Sequence, residues 1–185
     1  MWINILIFVL AFASWILMVI EMIAAHAFLT WSFRIGLPVI NRELEVSTAD
    51  FKPKILTTLK EPEGKFWFPD TRNVFFLSRV YFFRFFRIVT PFPLKASGTF
   101  NGINSIRLVV RLPIGSCLFF LLWLTLWTIG SVAVGLQSKD IESLFFGAIG
   151  WVFTALIIWI SYSVEKARLE IMIEELKEII EESNG

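Results

Sequence analysis

The sequence predicts an α-helical integral membrane protein. Three transmembrane helices are expected, with a small antiparallel β-rich cytoplasmic domain inserted between helices 1 and 2. A C-terminal cytoplasmic amphipathic helix is expected to continue helix 3. Three observations lead there. The first is a set of long apolar runs: Trp2–Leu29, 28 residues broken only by Glu21 and His26; Ile114–Leu136, 23 residues without a charge; and Leu144–Val164, 21 residues without one. About 20 apolar residues in helical form cross a bilayer core of roughly 30 Å. The second is composition: 56% hydrophobic and 18% charged residues, where soluble domains carry about 25% charged residues. The third is the unevenness of the charge. Residues 30–113 hold 13 basic residues and six acidic ones, whereas residues 165–185 hold three basic and seven acidic.

Lys and Arg near span ends favour the cytoplasmic side. That rule predicts an external N-terminus, a cytoplasmic basic domain over 30–113, a short external loop over 137–143 and a cytoplasmic tail over 165–185. The expected location is a bacterial inner (plasma) membrane.

The first run, 2–29, is expected as a retained anchor helix that can extend to about residue 35. A cleavable signal has a basic leader and an apolar core of about 7–15 residues, and Met1–Asn4 leads instead into a far longer run. Ionisable groups within spans are functional-site candidates, so Glu21 and His26 are the intramembrane polar candidates. Glu21 follows Trp2 by 19 residues, about 28 Å of helix, which places it near the inner interface. An interhelical hydrogen bond or interfacial anchoring is then expected of it ahead of a proton or ion role. Trp31 and Arg34 follow as inner-interface anchors.

Gly36-Leu-Pro38 ends that helix, because proline removes a donor and restricts its predecessor. Residues 39–46 read as a strand or an irregular lead-in, and 47–60 remain ambiguous. Lys65–Phe68, Val74–Val80 and Tyr81–Val89 are rich in aromatic and β-branched residues and read as strands. Asn101-Gly102 is a favoured hairpin turn, flanked by Leu94–Phe100 and Ile103–Leu112. A sheet of four or five strands is expected. Leu112-Pro113 then enters helix 2 (114–136) without a linker. Helix 3 (144–164) continues into the tail, where Leu169, Met172, Ile173, Leu176, Ile179 and Ile180 keep helical spacing. The acidic tail is expected either to pack on the basic domain or to stand in solvent.

Chemistry-bearing motifs are sparse. One His and one Cys exclude a His/Cys zinc cluster within one chain. No Gly-rich phosphate loop is present, so neither cofactor nor metal is expected, and no catalytic residue is assigned. Arg79, Arg84, Arg87, Arg107 and Arg111 are the partner- or lipid-docking candidates, since basic residues near a cytoplasmic leaflet are attracted to anionic lipid and arginines recur at protein interfaces. Ser131, Gly135, Gly147, Gly150 and Thr154 are helix-packing candidates of the small-xxx-small type. The function expected is a non-catalytic membrane-anchored module. Its basic β domain docks a protein partner or anionic headgroups, as part of an oligomer or complex and without nucleic acid. The alternative is a subunit of a homo-oligomeric channel or pore.

Overall fold

In the computed structural model, which describes residues 2–46, 56–58, 64–70, 72–78, 92–102, 104–138 and 141–182, the three apolar runs are helices. They are α1 (Trp2–His26), α3 (Ile114–Ser138) and α4 (Ile141–Glu182). Each contains a segment long and apolar enough to cross a membrane. A five-residue helix, α2 (Thr30–Arg34), and six strands lie between α1 and α3 in chain order. The strands are β1 (Leu37–Glu45), β2 (Leu56–Thr58), β3 (Gly64–Asp70), β4 (Asn73–Ser78), β5 (Lys95–Asn101) and β6 (Ser105–Leu112).

The first helix stops at His26, short of the expected boundary at residue 29. Phe28 takes a positive φ of 52°, which an α-helix cannot contain. The Phe28 and Leu29 N–H groups close the helix by donating to the Ala25 and Ala24 carbonyls at 3.0 and 2.9 Å. The chain turns again at Gly36, whose φ of 141° is open to glycine. A Cβ there would lie 2.6 Å from the Leu112 carbonyl oxygen, so this glycine also lets the elbow lie against the last residue of β6.

Among the described residues the sheet has six strands in the order β1-β6-β5-β4-β3-β2, every pair antiparallel. The expectation of four or five strands falls short because β1 and β2 carry little strand-like pattern. β1 contains Pro38, tolerated because β1 ends the strand order of this sheet, with a register shift between Pro38 and Ile40. β2 is three residues long. The expected hairpin forms between β5 and β6, but not around a two-residue turn: Asn101 pairs with Ser105 in the ladder, so β6 starts at Ser105 rather than Ile103, and Gly102 takes the positive φ of 71°. The expected strand Tyr81–Val89 lies outside the described residues, as do Arg79, Arg84 and Arg87.

Strand alternation divides the sheet into two packed faces. On one face Phe66, Phe76, Ala96, Ile106, Leu108 and Val110 meet Leu169, Met172, Ile173, Leu176 and Ile180 of α4. The tail therefore packs on the sheet of its own chain. Two features make that approach fit. Gly64 leaves room for Met172, whose Sδ would sit 2.8 Å from a Cβ at that position. Arg42 of β1 donates to Glu170 of α4 at 2.7 Å. On the other face Phe75 and Leu77 meet Ala25 and Phe33, with the Phe33 and Phe75 rings stacked at 5.1 Å. The sheet is thus held between the α1–α2 elbow and the far half of α4.

Candidate functional site: the junction of sheet and helices

Glu21 is the only acidic residue in the three apolar runs, and it lies at the meeting point of α1, α3 and the sheet. Its side chain is 3% exposed. Its carboxylate accepts from the Lys95 ammonium on β5. It also accepts from the Gly115 N–H at 2.9 Å and the Ile114 N–H at 3.3 Å. Those two N–H groups belong to the first turn of α3, where no intrahelical acceptor exists. Pro113 precedes them and has no side-chain oxygen to cap the helix. Glu21 therefore supplies from a neighbouring helix the anion that an N-terminal turn favours.

The backbone around Glu21 explains how it reaches so far. A Cβ on Gly115 would lie 2.4 Å from Met18 N and 2.5 Å from Met18 Cα, so α1 and α3 touch backbone to backbone one turn from Glu21. Lys95 is 1% exposed. Burial pushes its ammonium below the ordinary lysine range, and the hydrogen bond and charge of Glu21 act in the opposite direction. One residue before Lys95, the Leu94 N–H donates to Glu165 of α4 at 3.3 Å, and Arg168 donates to the same carboxylate at 2.9 Å. The start of β5 is consequently held by one carboxylate from α1 and another from α4.

Cross-strand register places Lys65, Leu77, Lys95 and Arg111 side by side. Arg111 turns inward: its Nη1 donates to Ser97 Oγ at 2.7 Å and to the Phe33 carbonyl at 3.2 Å. Burial lowers its pKa. Arg107 points outward and is exposed. It sits five residues up β6 from Leu112, about 17 Å at strand rise. The two described docking candidates thus occupy different ends of the sheet. His26 is exposed at the end of α1, its Nδ1 3.1 Å from the Met22 carbonyl, and it shares a small cleft with Glu21, Leu77, Pro93, Lys95 and Pro113.

The helix-packing candidates lie on the α3–α4 hairpin. Gly147 faces Ser131, where a Cβ would come within 3.0 Å of the serine Cβ, and Gly150 faces the Trp127 ring. Trp151 donates to Thr128 Oγ1 at 2.9 Å across the hairpin. Thr154 is buried and returns its hydroxyl to the Gly150 carbonyl. Gly135 lies near the C-terminal end of α3, half-buried.

Sequence reasoning missed Lys95, Gly115, Glu165 and the Arg42–Glu170 pair. The signal for Lys95 was faint: it is the first residue of a strand that follows Pro-Phe-Pro, and a lone acid in the apolar runs needs a cation. Among the described residues no group of three or more His, Cys, Asp or Glu side chains is arranged to hold a metal. The chain matches no protein-family model, no characterised protein and no solved structure.

Proposed function

We propose that the chain is an integral protein of a bacterial inner (plasma) membrane, with its N-terminus outside and its sheet and C-terminal helix in the cytoplasm. In this reading the β domain is a non-catalytic docking module for the cytoplasmic surface, and anionic lipid headgroups are the partner favoured over a protein. The observation that carries it is where the described residues on either side of the basic aromatic stretch 79–91 are packed. Leu77 packs beside Ala25 at the end of α1. Phe92 stacks on Phe120, in the second turn of α3, at 4.8 Å. Both brackets of Arg79, Arg84 and Arg87 therefore lie against the ends of apolar helices, where the headgroup layer of a membrane would begin.

Each basic residue near an anionic leaflet gains about 1 kcal/mol. Three arginines then amount to about 3 kcal/mol, or roughly a hundredfold in lipid partition. The two-sided bracing of the sheet suits this role, because a domain that cannot swing away keeps its cations at the surface without an ordering cost.

The test uses the full chain in nanodiscs of mixed phosphatidylcholine and phosphatidylglycerol. Wild type should retain phosphatidylglycerol on purification, and the Arg79→Gln/Arg84→Gln/Arg87→Gln variant should lose that enrichment. Equal retention by both would remove lipid docking. A stoichiometric protein that co-purifies with wild type and not with the variant would move the reading to a protein partner. Ion flux through proteoliposomes would favour the pore.

A further inference from the structure

The elbow between Phe28 and Gly36 presents a surface that no described part of the fold covers. Ser32 and Phe33 of α2 turn inward, and Phe33 is fully buried against Phe28 and Phe75. Leu29, Trp31 and Ile35 of the elbow are between 41% and 47% exposed, and Leu37 and Val39 at the start of β1 are 52% and 36% exposed. Arg34, also exposed, lies among them. Five apolar side chains in 11 residues make a patch that water solvates poorly, and contiguous patches of this kind mark interaction sites.

The position of the patch selects its occupant. It begins three residues after α1 ends at His26, so it is continuous with the most apolar helix of the chain. It is fixed at the height of the first turn of α3, because Gly36 lies against Leu112 and Leu37 pairs with Leu112. A tryptophan with an arginine beside an apolar helix end is the composition of a membrane interface, and a long cation can reach phosphates from there. We infer that the elbow is a lipid-binding surface that lies in the headgroup–acyl boundary of the leaflet reached by the C-terminal end of α1. Anionic phospholipid is its preferred neighbour through Arg34. Since Phe33 joins α2 to the sheet, the elbow also sets the height at which the sheet stands. This inference depends on the membrane-spanning reading above and adds to it a surface that no span contains.

The experiment separates the two. In a Cys117→Ser background, single cysteines replace Trp31, Phe12 or Arg72 (Trp31→Cys, Phe12→Cys, Arg72→Cys) and carry an environment-sensitive fluorophore. The proteins are reconstituted in vesicles of phosphatidylcholine and phosphatidylglycerol. A shallow spin-labelled lipid should quench position 31 several-fold more than position 72, and aqueous iodide should show the reverse order. Position 12, midway along α1, should respond to a deep spin-labelled lipid. If position 12 responds and position 31 is quenched by iodide as readily as position 72, the elbow is in water; the inference fails while the spanning reading survives. If position 12 does not respond either, both fail. Protection of position 31 from lipid and iodide alike means a protein covers it, which also overturns the inference. Ile35→Cys, on the same face, repeats the measurement should the change at Trp31 disturb folding.

Discussion

Removing the Glu21 carboxylate should be among the most damaging single changes available to this chain. Glu21→Ala would strand Lys95, 1% exposed, without its counter-ion, and would leave the Ile114 and Gly115 N–H groups without their acceptor. Breaking one side of a buried ion pair costs about 3–5 kcal/mol. Lys95→Met should cost less, because the Glu21 carboxylate it leaves behind still accepts from two helix N–H groups. Glu21→Gln/Lys95→Met removes both charges and keeps an acceptor for α3, so it should fall within about 1 kcal/mol of wild type. Equilibrium unfolding in a mild detergent, followed by far-UV circular dichroism, measures all three. The pH dependence adds an independent sign. In Glu21→Gln the lysine lacks its carboxylate while burial still lowers its pKa in the fold. Between the folded and unfolded pKa values the unfolded chain binds the extra proton, so stability of this variant should rise with pH there. The wild-type curve should be flatter. A double variant that loses as much as Glu21→Ala and Lys95→Met together, or a Glu21→Ala variant that unfolds as wild type does, would overturn the ion-pair account.

Four further outcomes follow from the same geometry. Gly115→Ala places a methyl on the backbone of Met18 and should cost about 1–3 kcal/mol by overpacking, seen as a lower unfolding midpoint in detergent. Met172→Ala, fully buried between the sheet and α4, should cost about 2–5 kcal/mol and expose the β3 backbone at Gly64 to hydrogen exchange. Arg42→Met should change stability by less than about 1 kcal/mol, because the side chains of Arg42 and Glu170 are 34% and 40% exposed. Glu43, held down chiefly by the hydroxyl of Ser105, should titrate below the ordinary glutamate range in a carboxyl NMR experiment. Its small contribution is present above the unfolded value and is lost as pH falls through the lowered folded one. A Ser105→Ala variant should return the midpoint upward.

What could be seen in the sequence follows from which forces act locally. The apolar runs and the 3.6-residue spacing of Leu169 to Ile180 are properties of neighbouring residues, so the three long helices and the packing stripe of the tail were legible. The β5–β6 hairpin was legible from Asn101-Gly102, whereas its register, with Asn101 opposite Ser105, was not. β1 was harder: Pro38 and the charges at Arg42, Glu43 and Glu45 obscure an edge strand whose pairing with β6 spans most of the domain. The partner of Glu21 was harder still, since Lys95 lies 74 residues away and no local pattern joins them. The position of Glu21 along α1 was nonetheless enough to expect of it an interhelical hydrogen bond or interfacial anchoring ahead of a proton or ion role.

Among the described residues, the basic side chains of 30–113 include two populations, and this bears on what the domain can dock. Lys95 and Arg111 have turned toward the fold, onto Glu21, Ser97 and the Phe33 carbonyl, and Arg42 is engaged by α4. These three cations are spent on holding the sheet to the helices. Arg34 and Arg107 remain outward, one at the helix end of the sheet and the other about 17 Å up β6 from Leu112. A surface ligand drawn by charge alone would be pulled toward both ends. A ligand confined to a membrane plane reaches only the end where Arg34, the exposed elbow and the brackets of the 79–91 stretch are gathered. Neutralising Arg107 should therefore leave lipid retention unchanged, whereas neutralising Arg34 should reduce it, and that asymmetry distinguishes a membrane surface from a soluble anionic partner.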